Sequence, residues 1–144
     1  MRIFFRLAES RKYLQMKIEH IALWVKDIEN MRVFYMHYFG AAANEKYINT
    51  KKQFHSYFLS FQSGPRLELM QMPAVPDSLN NIYDQFRGLI HFAFSAGTVE
   101  NVNILTDKLR KDGFEIIDGP RWTGDGYYES VVFDPEKNRI EITV

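Results

Sequence analysis

The sequence predicts an α+β fold built from two tandem βαβββ modules, and an internal repeat is the main reason. The segments HIALWVKDIEN, from His20, and HFAFSAGTVEN, from His91, each place one histidine in an apolar run just before a helix start. Each helix pattern ends near a glycine, and three strand-like runs follow it. The same order of elements therefore occurs twice along the chain.

The first module is predicted over residues 17–72. Its first strand is the apolar run 17–25, and Asp27 is a favourable N-cap for the helix that follows. Gly40 stands where a left-handed residue would end that helix. The predicted core face of the helix has helical spacing and comprises Met31, Phe34, Tyr35 and Tyr38. The three later strands are predicted at 44–50, 54–62 and 66–72.

The second module is predicted over residues 89–144, after a linker at 73–88 that is rich in proline and asparagine. Thr98 is the predicted N-cap of its helix, and Gly113 the residue that ends it. The predicted core face of this helix comprises Val102, Leu105 and Leu109. Its later strands are predicted at 114–118, 127–133 and 139–144, with a turn at 134–138. The two modules together are expected to form one domain.

Residues 1–16 precede the repeat, and we expect them to form an N-terminal tail. Arg6 interrupts the short apolar patch near the start, so the segment does not have the long apolar stretch of a secretory signal. The alternative is a short amphipathic arm from Ile3 to Leu14 that packs on a partner.

Composition excludes several classes of protein. The 144 residues include 18 basic and 18 acidic side chains, and this balance argues against a nucleic-acid partner, which requires a surplus of positive charge. No run of the sequence is apolar for long enough to cross a membrane. The absence of cysteine excludes disulfides, thiolate metal sites and cysteine nucleophiles. We therefore expect a soluble cytoplasmic protein whose partner is a small-molecule substrate.

The repeat pairs two histidines with two glutamates. Because side chains alternate across a strand, His20 and His91 each lie on a face beside a small alanine, and Glu68 and Glu141 point away from their apolar neighbours. A single strand histidine is more often a hydrogen-bonded structural residue, and a single strand glutamate more often faces solvent. The repetition of both favours a site for a divalent ion with two nitrogen and two oxygen ligands.

Other polar and aromatic residues are given no ligand role. His37 and His55 have no counterpart in the repeat. Ser56 and Ser130 have no neighbouring base that would indicate a nucleophilic triad. Three aromatic residues could line a substrate cavity or simply fill the core, and these are Trp122, Tyr127 and Tyr128.

The chain from residue 17 to residue 144 resembles the vicinal oxygen chelate superfamily, which includes glyoxalase I, bleomycin-resistance proteins and extradiol dioxygenases. The motifs that carry the resemblance are HIALWVKDIENMRVFY, GPRLELM, GLIHFAFS and VVFDPEKNRIEI. The resemblance implies a curved mixed sheet around a metal-binding cup. It also implies a homodimer, with the site either within one chain or shared between two.

Within that superfamily, the ligand order His20, Glu68, His91 and Glu141 looks most like glyoxalase I. The resemblance implies a metal-dependent lyase or isomerase that acts through an enediolate on a small α-hydroxycarbonyl substrate, with Glu141 and then Glu68 as the proton-transferring residues. Zinc, nickel, manganese or iron would suit these ligands. The alternatives are an enzyme similar to methylmalonyl-CoA epimerase and a non-catalytic protein that binds a small drug-like molecule.

Two positions depart from the glutathione-dependent glyoxalases. Those enzymes carry an arginine four residues after the first histidine and an asparagine four residues after the first glutamate. This chain has Trp24 and Met72 at those positions. The sequence therefore leaves open whether glutathione is used.

Overall fold

The computed structural model describes residues 15–144 of the chain. The predicted α+β fold of two tandem βαβββ modules is confirmed. Nearly all of the expected tail, and the whole of the alternative arm from Ile3 to Leu14, lie outside the described residues. No helix in the described range is long and apolar enough to cross a membrane.

The first module forms a mixed sheet with one helix. Its elements are β1 (His20–Trp24), α1 (Ile28–Phe39), β2 (Ala42–Ala43), β3 (Tyr47–Asn49), β4 (Phe54–Ser60) and β5 (Arg66–Gln71). The strand order is β1-β5-β4-β2, and β3 also pairs with β4. β1 runs parallel to β5, whereas β4 runs antiparallel to β5. β1 is therefore an edge strand.

The second module repeats this arrangement in a sheet of its own. Its elements are β6 (Phe92–Ser95), α2 (Val99–Lys111), β7 (Ile116–Trp122), β8 (Tyr128–Phe133) and β9 (Arg139–Thr143). The strand order is β6-β9-β8-β7, with β6 parallel to β9. β6 thus occupies the same edge position as β1. The segment 73–88 that joins the modules contains neither helix nor strand.

The helix ends follow the local chemistry of the sequence. The side chain of Asp27 accepts a hydrogen bond from the backbone N–H of Asn30 at 3.0 Å. The hydroxyl of Thr98 accepts one from the N–H of Asn101 at 3.1 Å, so both predicted N-caps are confirmed. Gly40 ends α1 in the left-handed conformation, with φ at 64°.

Each helix covers one face of its sheet and leaves the other face open. The apolar neighbours of Glu68, Leu67 and Leu69, are buried in the core, and so are the neighbours of Glu141, Ile140 and Ile142. Because strand side chains alternate, the two glutamates point away from the helices. We call the two uncovered sides the open faces. Their β1 and β6 positions are exposed, at His20, Ala22 and Trp24 in one sheet and Ala93 and Ser95 in the other.

The first helix also packs against the second module. The ring of Phe34 lies 4.9 Å from that of Phe114, and the ring of Tyr35 lies 6.3 Å from that of Phe94. Further along, the carboxylate of Glu136 accepts hydrogen bonds from the backbone N–H groups of Lys26 and Asp27 at 2.8–2.9 Å. The helix-covered sides of both modules therefore share one apolar core.

Several element boundaries differ from the sequence prediction; β1, for example, begins at His20 rather than at residue 17. The strand predicted at 44–50 is shortened to Tyr47–Asn49, and an additional short strand, Ala42–Ala43, lies before it; both pair with β4. β7 continues to Trp122 because it pairs with β8 along its length through two register shifts. β6 begins at Phe92, and His91 therefore precedes the strand rather than lying inside it.

Candidate metal centre

The first half of the candidate centre lies where β1 pairs with β5. Ala22 is the register partner of Glu68, and His20 lies two residues before Ala22 on the same open face. The Nε2 atom of His20 is 3.7 Å from Oε2 of Glu68. The imidazole is 41% exposed and the carboxylate 15%, so both groups can be reached from the open face.

The second half has the same construction on β6 and β9. Ala93 is the register partner of Glu141, and His91 lies two residues before Ala93. The Nε2 atom of His91 is 3.2 Å from Oε2 of Glu141, and the exposures are 41% and 16%. The two histidine–glutamate pairs therefore match in distance, exposure and position in the sheet.

The spacing within each pair fits a histidine and a glutamate that bind the same divalent ion. Nitrogen and oxygen ligands lie about 2.0–2.2 Å from zinc, which separates two neighbouring ligands of one ion by roughly 3–3.5 Å. The two observed separations, 3.2 Å and 3.7 Å, are close to that range. Each pair offers one imidazole nitrogen and one carboxylate oxygen, a combination suited to zinc and similar ions.

The fold of one chain does not bring the two pairs together. Within residues 15–144, no three histidine, aspartate or glutamate side chains are grouped closely enough to hold an ion. The physical reason is the packing of α1 against the second module, which puts the helix-covered sides of the sheets together. Each chain therefore contains two separate pairs of candidate ligands, which we call the His20–Glu68 pair and the His91–Glu141 pair.

Aromatic side chains surround the His20–Glu68 pair. Phe58 is the register partner of Glu68, and its ring lies edge-on to His20 with 5.4 Å between ring centroids. The ring of Phe54 lies 6.0 Å from Trp24 and 6.2 Å from Tyr47. Trp24 is 45% exposed. This half of the open face can therefore contact an apolar or planar group.

One further carboxyl group, that of Glu129, lies beside the His91–Glu141 pair. Glu129 pairs with Thr143 on β9, which places its side chain on the same face as Glu141. Burial, and secondarily the nearby charge of Glu141, raises the pKa of Glu129. Sequence analysis did not identify Glu129, since the position has no repeat counterpart of the same type: Ser56 occupies the equivalent place on β4.

Glu19 is a second residue that sequence analysis missed. Its carboxylate accepts hydrogen bonds from Nδ1 of His20 and from Nε of Arg66, the latter at 2.7 Å. The hydrogen bond from His20, together with the Arg66 guanidinium, lowers the pKa of Glu19. The contact between Glu19 and Arg66 joins residues that are 47 positions apart, and nothing in the repeat pattern could have revealed it.

Most of the other polar and aromatic residues considered in the sequence contact side chains away from the two pairs. His37 contacts Nζ of Lys108 at 3.1 Å on the exposed side of α1. Ser130 is buried and shares a hydrogen bond of 2.7 Å with Thr106. Tyr128 donates to Asn103 at 2.8 Å, so it faces α2 and not the open face. Trp122 and Tyr127 are exposed.

A large cavity lies beside His91 and the end of β1. It has a volume of about 1430 Å³ and is bounded by the end of β1, the 73–88 segment and the 135–139 turn. His55 and His91 contribute to its wall, but Glu68 and Glu141 do not. The cavity therefore adjoins the open faces, which it reaches at Trp24 and His91.

The sequence matches a known family over both modules. The sequence profile of the Glyoxalase/Bleomycin resistance protein/Dioxygenase superfamily matches residues 17–142. YqjT of Bacillus subtilis (strain 168), itself described as uncharacterized, is 29% identical over 129 residues, which is 87% of this chain and 96% of that protein.

Solved structures show the same fold. A possible glyoxalase from Bacillus cereus is 25% identical, with a TM-score of 0.66 over 90% of this chain and 100% of that one. The trypanothione-dependent glyoxalase I of Leishmania major is 21% identical, with a TM-score of 0.69 over 90% of this chain and 86% of that one. With the family profile matched over both modules, the chain belongs to the Glyoxalase/Bleomycin resistance protein/Dioxygenase superfamily.

Proposed function

We propose that this protein is a metal-dependent, glyoxalase-like lyase or isomerase that acts on a small α-hydroxycarbonyl substrate in the cytoplasm. The observation that carries the proposal is the presence of two matched histidine–glutamate pairs at ligand spacing. The family profile supports it, because glyoxalases are among the proteins that the profile describes. The ion would be zinc, nickel, manganese or iron.

A second copy of the chain completes the centre in this proposal. The His20–Glu68 pair lies on the sheet whose edge is β1, and the His91–Glu141 pair on the sheet whose edge is β6. Within residues 15–144, neither edge pairs with a further strand on its other side. An unpaired edge is suited to pairing with another chain. In a twofold dimer, β1 of one chain would meet β6 of its partner twice, so that two complete four-ligand centres form.

The chemistry divides between the ion and the protein. A divalent ion held by these residues would stabilise the negative charge that develops on the substrate. Glu141 takes the proton from one substrate carbon and returns it to the adjacent carbon, as general base and then as general acid. Glu68 is the second candidate for this transfer.

The surroundings of the pairs indicate the kind of substrate. The arginine and asparagine of glutathione-dependent relatives are replaced by Trp24 and Met72, and Trp24 extends the aromatic surface around Phe54. Beside the His91–Glu141 pair, the carboxyl groups of Glu129 and Glu141 lie on the same face of the sheet. Both features disfavour an anionic peptide such as glutathione and favour a substrate with an uncharged apolar or planar group.

The same aromatic surface favours one alternative of a different class, a protein that binds a planar drug-like molecule without turnover. An epimerase that uses the same enediolate without net rearrangement is the alternative within enzymes. If a substrate carbon proton exchanges with solvent only when metal is bound, the protein is an enzyme and not a binding protein. The identity of the product then distinguishes the proposed lyase or isomerase from an epimerase.

The test is solvent-deuterium exchange into hemithioacetals and 2-acyl thioesters, using protein loaded with each of the four metals and protein treated with a chelator. The proposal expects exchange in at least one metal-loaded form and none after chelation. Product analysis then distinguishes rearrangement from epimerisation. Retained binding of a planar ligand, with no exchange for any metal, would contradict the proposal and support the binding protein.

A further inference from the structure

Glu19 links Arg66 to His20 in a chain of hydrogen bonds beside the His20–Glu68 pair. One carboxylate oxygen of Glu19, Oε1, accepts a hydrogen bond from Nε of Arg66 at 2.7 Å. The same oxygen lies 2.6 Å from Nη2 of Arg66. The other oxygen, Oε2, contacts Nδ1 of His20. The backbone strengthens the arrangement, because the N–H of Arg66 donates to the carbonyl oxygen of Glu19 at 2.9 Å.

These contacts determine which nitrogen of His20 carries the proton. An ionised carboxylate can only accept hydrogen bonds, so Nδ1 of His20 must be the donor. In a neutral imidazole, the other nitrogen then has a free lone pair. That nitrogen, Nε2, is the one that lies 3.7 Å from Glu68. The lone pair is therefore on the nitrogen that a metal ion shared with Glu68 would need.

Phe58 packs against both ends of this chain. The guanidinium of Arg66 lies over its ring, 4.0 Å from the centroid, and the ring of His20 meets it edge-on. A cation over an aromatic face and an edge-on ring pair are both favourable arrangements. Phe58 thus restricts the positions of Arg66 and His20, and Glu19 bridges the two.

The second module has no equivalent chain. The residue before His91 is Ile90, which cannot accept a hydrogen bond from an imidazole. Arg139, the counterpart of Arg66 in the repeat, donates instead to the carbonyl oxygens of Ile82 and Asp84. Within the described 130 residues from 15 to 144, no carboxylate contacts Nδ1 of His91. The two histidines are therefore unequal, although their distances to the glutamates are similar.

We propose that Glu19, oriented by Arg66, is a positioning residue that fixes His20 with its proton on Nδ1 and so prepares Nε2 to bind a divalent cation. This inference rests on the proposed metal site. A carboxylate behind a ligand histidine fixes the ring, makes the ligand nitrogen more basic and typically changes metal affinity by about 10- to 100-fold. The His20–Glu68 pair is then the preorganised half of the centre.

The first experiment measures the tautomer directly in metal-free protein. Long-range ¹H–¹⁵N correlation spectra at a pH where the rings are neutral distinguish a protonated Nδ1 from a protonated Nε2. We expect His20 to have the proton on Nδ1 in the parent protein and to lose this preference in Glu19→Leu. Arg66→Gln should weaken the preference without abolishing it. His91 is the internal control, and its signals should not change.

The second experiment measures Co²⁺ affinity by calorimetry at one pH. Glu19→Leu should weaken binding by about 10- to 100-fold. Glu19→Gln keeps an acceptor oxygen but loses the charge, so its affinity should lie between those of Glu19→Leu and the parent. Glu45→Leu removes an exposed glutamate of the same module and is the matched control, expected to bind like the parent.

Two results would overturn the inference: an unchanged Nδ1 proton on His20 in Glu19→Leu, or equal Co²⁺ affinity in Glu19→Leu and the parent. If the parent itself binds no Co²⁺, the proposed metal site fails. The tautomer spectra then decide alone whether Glu19 positions the ring.

Discussion

Tyr35 on α1 donates a hydrogen bond to Asp134 in the second module, with 2.9 Å between the hydroxyl and Oδ2, and both residues are buried. The other oxygen of Asp134 accepts from the backbone N–H groups of Glu136 and Asn138, each at 2.9 Å. Asp134 thus organises the 134–138 turn and joins it to α1. The contact helps to hold the helix-covered sides of the two modules together.

We expect Asp134→Ala to destabilise the protein by about 3 kcal/mol, because the buried hydroxyl of Tyr35 and two half-buried backbone N–H groups lose their acceptor at once. Tyr35→Phe removes a single hydroxyl and should cost about 1 kcal/mol. Urea unfolding measures both values. Asp107→Ala, on the exposed side of α2, is the control and should change stability by less than about 0.5 kcal/mol. Equal stability of Asp134→Ala and the control would contradict the assigned role.

Removal of either histidine should empty the proposed centre. The parent protein is expected to retain about one divalent ion per chain, and His20→Ala or His91→Ala should each lose most of it, because a four-ligand site loses an essential ligand. Metal analysis of the purified variants, with His37→Ala as the control, measures this. If both variants carried as much metal as the parent, the assignment of these ligands would be wrong.

The two glutamates should differ in their effect on turnover. Glu141→Gln keeps the shape of the side chain but cannot accept a proton at neutral pH, so we expect a loss of at least about 10²-fold. Glu68→Gln should be milder, since epimerases that resemble this chain tend to carry glutamine there. Deuterium exchange at matched metal occupancy compares the two. Equal exchange in the parent and both variants would show that neither carboxylate is the base.

Deletion of residues 1–15 should leave the fold intact, because the strands of the described residues, from His20 to Thr143, already form both sheets with one another. We expect the thermal midpoint of the shortened chain to stay close to that of the full chain. A fall of more than about 10 °C, on the order of 2 kcal/mol for a domain of this size, would show that the segment contributes to stability.

Local chemistry made much of the fold predictable. Asp27, Thr98 and Gly40 act at helix ends through contacts with near neighbours, and the spacing of residues alone indicates them. The short strand β2 was not predictable, because Ala42–Ala43 have weak strand propensity and pair only once β4 is in place. The same holds for the extension of β7, which depends on its partner β8.

The candidate centre was predictable in pairs but not as a whole. Alternation along strands put His20 with Glu68 and His91 with Glu141, because each pair depends on neighbouring strands of one module. The relation between the pairs depends on how α1 packs against the second module, through Tyr35 and Asp134. Contacts of that kind join distant parts of the chain, and residue spacing does not encode them.

In the proposed dimer, each metal centre combines the His20–Glu68 pair of one chain with the His91–Glu141 pair of another. The most direct test co-expresses His20→Ala and His91→Ala chains with different tags and isolates the mixed dimer by two successive affinity steps. One of its two centres would lack both histidines, and the other would keep all four ligands.

Metal analysis of that mixed dimer gives the answer. We predict about one divalent ion per mixed dimer, whereas a dimer of either variant alone should retain almost none. A mixed dimer as empty of metal as the separate variants, or a failure of the two tags to co-purify, would contradict a centre shared between chains.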